Sequence, residues 1–272
     1  MRKICLFVFL SLLVASVASA QPFGPRFNFS SGSTYIAVLS PGSAFDFTNG
    51  FTFEAWVSAH DNGGCSSITG RNWTQAWWVG ICGTTLRSYL RGTSSLYDAG
   101  KVPADTWTHI AVTWDGTTHR HFVDGEEVGS HVESGAMGVS ATEVRIFSDT
   151  NYQLTPPGSI DEVRFWNVAR TQAEIRSTIT KTLSAATPGL VAVYHLDGNA
   201  NDAIGGHNGT VTGTSGGFVS PSATTCVPNS TTLCFENRYQ VSSTWIAHDN
   251  SSGSFTPVSG ELPKRRSQMS HM

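Results

Sequence analysis

The sequence predicts an all-β fold, a sandwich or barrel of short strands with one short helix. Three observations carry that prediction. Apolar residues recur with period two in brief runs. The runs are separated by Gly, Asn, Asp and Ser, the residues that turn a chain. Only one segment carries the signature of a helix start. About a dozen such runs, closely spaced, are the pattern of a sandwich or barrel.

The first twenty residues, MRKICLFVFLSLLVASVASA, precede the fold. Arg2 and Lys3 lead an apolar run from Ile4 to Val17, and Ala18-Ser19-Ala20 offers a small-residue cleavage site, which together read as a signal peptide. The run is shorter than the ~20 residues that span a bilayer, and no later segment is apolar enough to anchor the chain. We therefore expect a secreted protein, extracellular or periplasmic, with no membrane span. In FTFEAWV, Phe51, Phe53, Ala55 and Val57 share one face, and in WTHIAVTW so do Ile110, Val112 and Trp114. QAWWVGI, HRHFV, EVRIF, IDEVRFW and LVAVYHL read the same way. Asp115-Gly116 between two runs predicts a hairpin. Thr171-Gln172-Ala173-Glu174 has the capping-box form before Ile175 and Ile179, and predicts a helix of two or three turns. These elements place the main domain at residues 23–213, which suffices to bury roughly 70% of the unfolded surface. Residues 214–225 read as a Gly/Ser/Thr linker, 226–262 as a partial small β module and 263–272 as a disordered tail.

Removing residues 1–20 takes away two of the 17 basic residues and none of the 20 acidic ones, lowering the net charge from −3 to −5. An acidic chain whose one basic run, Lys264-Arg265-Arg266, lies near its end is no nucleic-acid binder. Of the five cysteines, Cys5 leaves with the signal segment, and four in an exported chain suggest two disulfides in one of three connectivities. Locality pairs Cys226 with Cys234 in CVPNSTTLC and leaves Cys65 for Cys82.

Several patterns are candidates for chemistry. His119 and His121 lie two apart on a predicted strand and share a face, a spacing that suits zinc, but a third ligand and an orienting partner are needed; exposed strand histidines are the expectation. His109 lies on the neighbouring run, with no parity argument that brings it close. Gly213-Thr214-Ser215-Gly216-Gly217 formally fits a nucleophile elbow, yet no helical pattern follows it. Asp197, Asn199 and Asn201 have EF-hand spacing, but Asn208 stands where the bidentate Glu is required. GRNWTQAWWVGI concentrates Trp73, Trp77 and Trp78. Alternation puts one of Trp77 and Trp78 inside and the other outside, and leaves Trp73 as the exposed ring. A flat ring of this kind suits the apolar face of a sugar, with Asn72 and His60 as hydrogen-bonding neighbours.

The series RFNFSSGSTYIAV, FTFEAWV, WTHIAVTWDG, HFVDGEEVG, SIDEVRFWNVARTQAEI and GLVAVYHLDGNANDAIGGHNGT resembles the laminin G-like, concanavalin A-like jelly-roll family, related to the pentraxins. The CVPNSTTLCFENRYQVSSTW segment is similar to the opening of a small module found near the ends of secreted bacterial proteins. The first resemblance implies a two-sheet antiparallel jelly-roll sandwich. It also implies that Asp161 and Glu162 are structural, one tucked against backbone amides and the other solvated. Sandwich hydrolases of this fold carry Glu-x-Asp-x-x-Glu on one strand; no such run exists here, and Glu54 stands alone on its own. We expect no enzymatic activity. The pentraxin likeness points to calcium, with Asp61 and Asn62 on one loop and Asp149 and Asn151 on another, though the second loop is short of acids. The resemblance implies a secreted, non-catalytic recognition module for extracellular or cell-surface carbohydrate, with calcium as a candidate cofactor. The alternatives are an adhesion or structural module that binds an extracellular protein, and the accessory domain of a glycoside hydrolase. Oligomeric state is not legible.

Overall fold

The computed structural model describes residues 26–30, 34–91, 95–150 and 157–219, and the backbone of three short strands at 238–241, 244–248 and 255–257. The expected signal segment, Asn151, Cys226, Cys234 and the tail lie outside the described residues.

Fifteen strands follow in chain order: β1 (Arg26–Phe29), β2 (Tyr35–Val38), β3 (Phe51–Ala59), β4 (Cys65–Arg71), β5 (Trp77–Cys82), β6 (Thr85–Tyr89), β7 (Leu96–Lys101), β8 (Thr108–Trp114), β9 (Thr118–Val123), β10 (Glu126–Val132), β11 (Val144–Ile146), β12 (Gly158–Trp166), β13 (Leu190–Tyr194), β14 (Thr210–Thr212) and β15 (Gly216–Val219). The helix α1 (Gln172–Thr178) precedes β13, and a 3-10 turn covers Gly42–Phe45. One sheet runs β10-β9-β8-β3-β12-β1-β15 with β13 also on β12, and the other runs β14-β2-β11-β4-β5-β6-β7. Every pairing within them is antiparallel. This is the expected two-sheet jelly-roll sandwich.

The period-two reading of the strands holds. Phe51, Phe53, Ala55 and Val57 of β3, and Ile110, Val112 and Trp114 of β8, all enter the core between the sheets. Trp77 enters from β5 on the opposite side and packs on Phe47, Phe51 and Phe165, with ring centroids 5.6–5.8 Å apart. The Asp115-Gly116 hairpin forms as expected between β8 and β9. Gly116 takes φ +95°, and Asp115 Oδ1 accepts the amides of Thr117 and Thr118. Asp124 and Gly125, both at positive φ, make a second hairpin between β9 and β10. The capping box forms as read: Glu174 N donates to Thr171 Oγ1 and Thr171 N to Glu174 Oε2.

Three expectations are corrected. Residues 214–225 do not begin as a linker, because Gly216–Val219 pair with β1 as an edge strand. Gly216 is needed there, since a Cβ would lie 2.6 Å from the Asn28 carbonyl oxygen. The nucleophile-elbow match therefore runs into a strand, and among the described residues no helix follows it.

Glu162, which shares a buried charge network with Glu54, is the second correction. Glu54 faces away from the inter-sheet core yet is 0% exposed, because α1 and the segments flanking it cover that side of the sheet. Arg170 Nη1 and Trp166 Nε1 donate to its Oε1 at 2.7 and 2.9 Å, with Arg164 and His109 close by. Burial opposes its charge, but the nearby His109 and the two arginines outweigh that and bring its pKa to about 2. Glu162 is not solvated either. The ladder to β3 slips between Asp161 and Arg164, Glu162 takes φ +50°, and its carboxylate meets Arg164 Nη2 and His195 Nδ1, both at 2.9 Å. Asp161 is tucked against an amide as expected, with Oδ1 accepting from Glu162 N. The Asp197–Asp202 turn is structural too, with Asp202 accepting from the amides of Val193, Ile204 and His207.

The third correction concerns His119 and His121, which are 0% exposed rather than solvated. Strand β7, at the end of its sheet, closes over β9, and Tyr97 lays its ring 4.7–5.2 Å from His119, His121 and His131.

Candidate functional site

The sequence-derived candidates do not converge on one place. His60 is exposed, pairs with Asp105 at 3.0 Å, and lines an open hollow of about 650 Å³ near Asn28 and Ser159. Trp73 lines a different one. Asp61 Oδ1 and Asn62 Oδ1 accept the amides of Gly63 and Gly64, so both oxygens shape the turn that carries them. Asp149 is buried in another part of the sheet. Among the described residues, no set of three His, Cys, Asp or Glu ligands includes Asp61 or Asp149.

Trp73 is placed by its neighbours. After β4, Asn72 takes φ +61°, and its carbonyl accepts the amides of Gln75 and Ala76, closing a tight turn. Its side-chain Oδ1 accepts from Thr74 Oγ1 at 2.7 Å. Asp149 Oδ1 accepts the Trp73 amide from below, in space left by Gly70, where a Cβ would fall 2.4 Å from Asp149 Oδ2. Two residues expected to bind ligand therefore hold the third in place.

Around Trp73 the outer face of the second sheet carries an aromatic notch of about 120 Å³, lined by Cys65, Trp73, Trp78, Arg87 and Tyr89. Trp78 and Tyr89 are register partners on β5 and β6, and the Tyr89 ring lies 5.5 Å from Trp73 and 5.6 Å from Trp78. Trp77 and Trp78 do alternate, but the outward ring is covered as well. Trp78 folds across Gly80, where a Cβ would meet its ring at 2.2 Å, and its Nε1 donates to Ser67 Oγ at 2.8 Å. Arg87 spans the notch edge with a bidentate pair to Asp98 at 2.6 and 2.7 Å. That hydrogen-bonded carboxylate raises the guanidinium pKa further above its ordinary value. The Cys65–Cys82 disulfide joins register partners at the foot of the notch, the pairing that locality predicted. Leu96, 45% exposed, extends the apolar surface beside its register partner Tyr89.

The sequence pointed to Trp73 and missed Tyr89, Arg87 and Asp98. SYLRG carries no distinctive motif, and only the β5-β6-β7 register brings Tyr89 and Arg87 beside the tryptophans.

The two-sheet antiparallel jelly-roll sandwich places the chain in the concanavalin A-like class of folds. The chain belongs to the concanavalin A-like lectin/glucanases superfamily, whose match covers residues 30–176. No curated protein matches the chain. Among solved structures it is similar to a "putative carbohydrate binding protein" from Bacteroides ovatus, at 23% identity over 74% of this chain with TM-score 0.62; the chain spans 61% of the length of that protein. It is also similar to the CBM40 of the Ruminococcus gnavus IT-sialidase, bound to α2,3-sialyllactose, at 16% identity over 55% of this chain and 93% of that one with TM-score 0.47. A third is domain 4 of a GH43 extracellular arabinanase from Geobacillus stearothermophilus, in complex with arabinotriose, at 21% identity over 48% and 67% with TM-score 0.40.

Proposed function

We propose that this protein is an exported, non-catalytic module that binds extracellular or cell-surface carbohydrate through the notch of Trp73, Trp78 and Tyr89. The observation that carries the reading is the arrangement itself. Aromatic rings offer apolar faces to the C–H face of a sugar, and the Arg87–Asp98 pair beside them supplies donors and acceptors for its hydroxyls. The notch is well below the ~300 Å³ of an enclosed ligand pocket, which suits a sugar lying across a surface. The family, and the carbohydrate-binding description of the Bacteroides structure, support the same reading.

Export is supported by residues 1–20 and by the Cys65–Cys82 disulfide, which persists in oxidising compartments. No helix among the described residues is long and apolar enough to cross a membrane. A non-catalytic role is supported by the fates of Glu54, Asp161 and Glu162, all of which are buried. The test is a glycan array with the wild-type chain and Trp73→Ala, run in millimolar calcium and in EDTA. The notch predicts binding in both buffers that Trp73→Ala removes. Binding lost in EDTA would transfer the site to the Asp61–Asn62 loop.

A further inference from the structure

At the edge of the sandwich, β6, β7, β9 and β10 enclose a polar cluster that the proposed sugar site does not use. Its hydrogen bonds run in a line from one acceptor to another. The Ala99 carbonyl meets His121 Nδ1 at 3.0 Å. His121 Nε2 meets Ser88 Oγ at 2.7 Å, and Ser88 Oγ meets His119 Nε2 at 2.7 Å. His119 Nδ1 then faces Glu133 Oε2 at 3.2 Å. Both ends of this line, a carbonyl and a carboxylate, can only accept.

Counting protons exposes a shortage. Two neutral imidazoles supply one N–H each and the serine supplies one O–H, which makes three donors for four contacts. Because the Ala99 carbonyl needs the N–H of His121, Ser88 must donate to His121 and His119 must donate to Ser88. The bare lone pair of His119 Nδ1 is then left opposite a carboxylate oxygen, and either a further proton or a bound cation has to lie between them.

A third ligand points at the same oxygen. His131, the register partner of His119 on the neighbouring strand, brings its Nε2 to 3.5 Å from Glu133 Oε2. That nitrogen has no hydrogen-bond partner among the described residues. The nitrogens of His119 and His131 and an oxygen of Glu133 all lie within 4.8 Å of one another. Ligands at 2.0–2.1 Å from a tetrahedral zinc ion stand about 3.3 Å apart, close to the 3.2 and 3.5 Å seen here. An orienting shell is present as well. Ser88 fixes the far nitrogen of His119, and Arg91 Nε holds Glu133 Oε1 at 3.2 Å, leaving Oε2 turned to the imidazoles. The His131 side chain is partly exposed, but its Nε2 is buried within the cluster.

We propose that His119, His131 and Glu133 form a binding site for one zinc-class divalent ion, held by two imidazole nitrogens and one carboxylate oxygen, with a fourth position that these three residues leave unfilled. The ion is the positive group that the hydrogen-bond line lacks. The site ties β10 to β9 at the sandwich edge and is independent of carbohydrate binding.

The test is a titration of the metal-stripped full chain with cobalt(II) and zinc(II), followed by visible absorption and calorimetry. Expected are one equivalent of cobalt with the intense visible bands of a four-coordinate ion, displacement of those bands by zinc, and a raised Tm. His131→Ala, chosen because that side chain is partly exposed, should weaken binding by at least ~10-fold while leaving the Tm in EDTA unchanged. His60→Ala, in a different hollow, should bind as wild type. Absence of stoichiometric binding, or equal binding by His131→Ala, would overturn the site and leave the fourth contact to a proton shared by His119 and Glu133.

Discussion

At the scale of single residues, most of the polar groups that attract attention in this chain hold others in place. Asp149 and Asn72 set the Trp73 turn, so Asp149→Ala should weaken carbohydrate binding without touching a sugar, seen as reduced array signal together with a lower Tm. Trp73→Ala should abolish binding and leave the Tm unchanged, because the ring is only partly buried and its turn is closed by backbone and Asn72 contacts. Glu54 is the reverse case. With a folded-state value of about 2 against 4.5, its contribution is complete above pH 4.5 and fades as the pH falls towards 2. By linkage that contribution is about 3 kcal/mol. Glu54→Gln leaves Arg170 buried without its anion and Arg164 with Glu162 alone, and should cost about 3–5 kcal/mol in chemical denaturation at pH 7. Asp161 carries the opposite sign. Burial first, then the charge of Glu162, raises its pKa well above 3.8, so its ionisation destabilises the fold as pH rises above that value. Asp161→Asn keeps the acceptor for the Glu162 amide, and should raise the Tm at pH 7 by an amount that disappears below pH 3.8.

At the scale of elements, α1 is the part whose small size conceals its effect. Seven residues long, it places Ile175 on Ala111 and Phe122 and, with the residues after it, accepts hydrogen bonds from Trp56, Arg164 and Arg170. Thr171→Ala removes the cap, and should lower stability by ~1 kcal/mol, a Tm loss of about 2–4 °C for a domain of this size. The cap was legible because it lies within four consecutive residues. What the helix covers was not, since Glu54 and Arg170 are 116 residues apart. The same distinction runs through the molecule. Strands β3 and β8 and the Asp115-Gly116 turn are written in local alternation and could be read directly. Tyr89 joins the tryptophans, and His131 joins His119, only through sheet register, which alternation alone does not fix. Strand β15 escaped notice because Gly216 and Gly217 look like linker composition, whereas the Asn28 backbone demands a residue without a Cβ there.

At the scale of the whole molecule, the sandwich presents two polar constellations of different kinds. One is closed and cross-linked at the sandwich edge, and the other is an aromatic notch on an outer face above a disulfide. The closed cluster and the Glu54 network are folded into the architecture, while the notch offers partly exposed rings to solvent. Burial acts against the charge of Glu54 and Glu162 and is outweighed by their cationic partners, leaving both carboxyls below their ordinary values. The fold should therefore lose stability together with its buried ion pairs as the pH drops below 4.5, measured as a falling Tm between pH 5 and pH 3. The central claim, that the notch is a carbohydrate site, is tested most directly by glycan-array binding of wild type and Trp73→Ala, both shown to be folded. The account predicts a defined set of bound glycans for wild type, retained in EDTA, and none for Trp73→Ala. Equal binding by the two proteins, or no glycan bound by wild type, would contradict it.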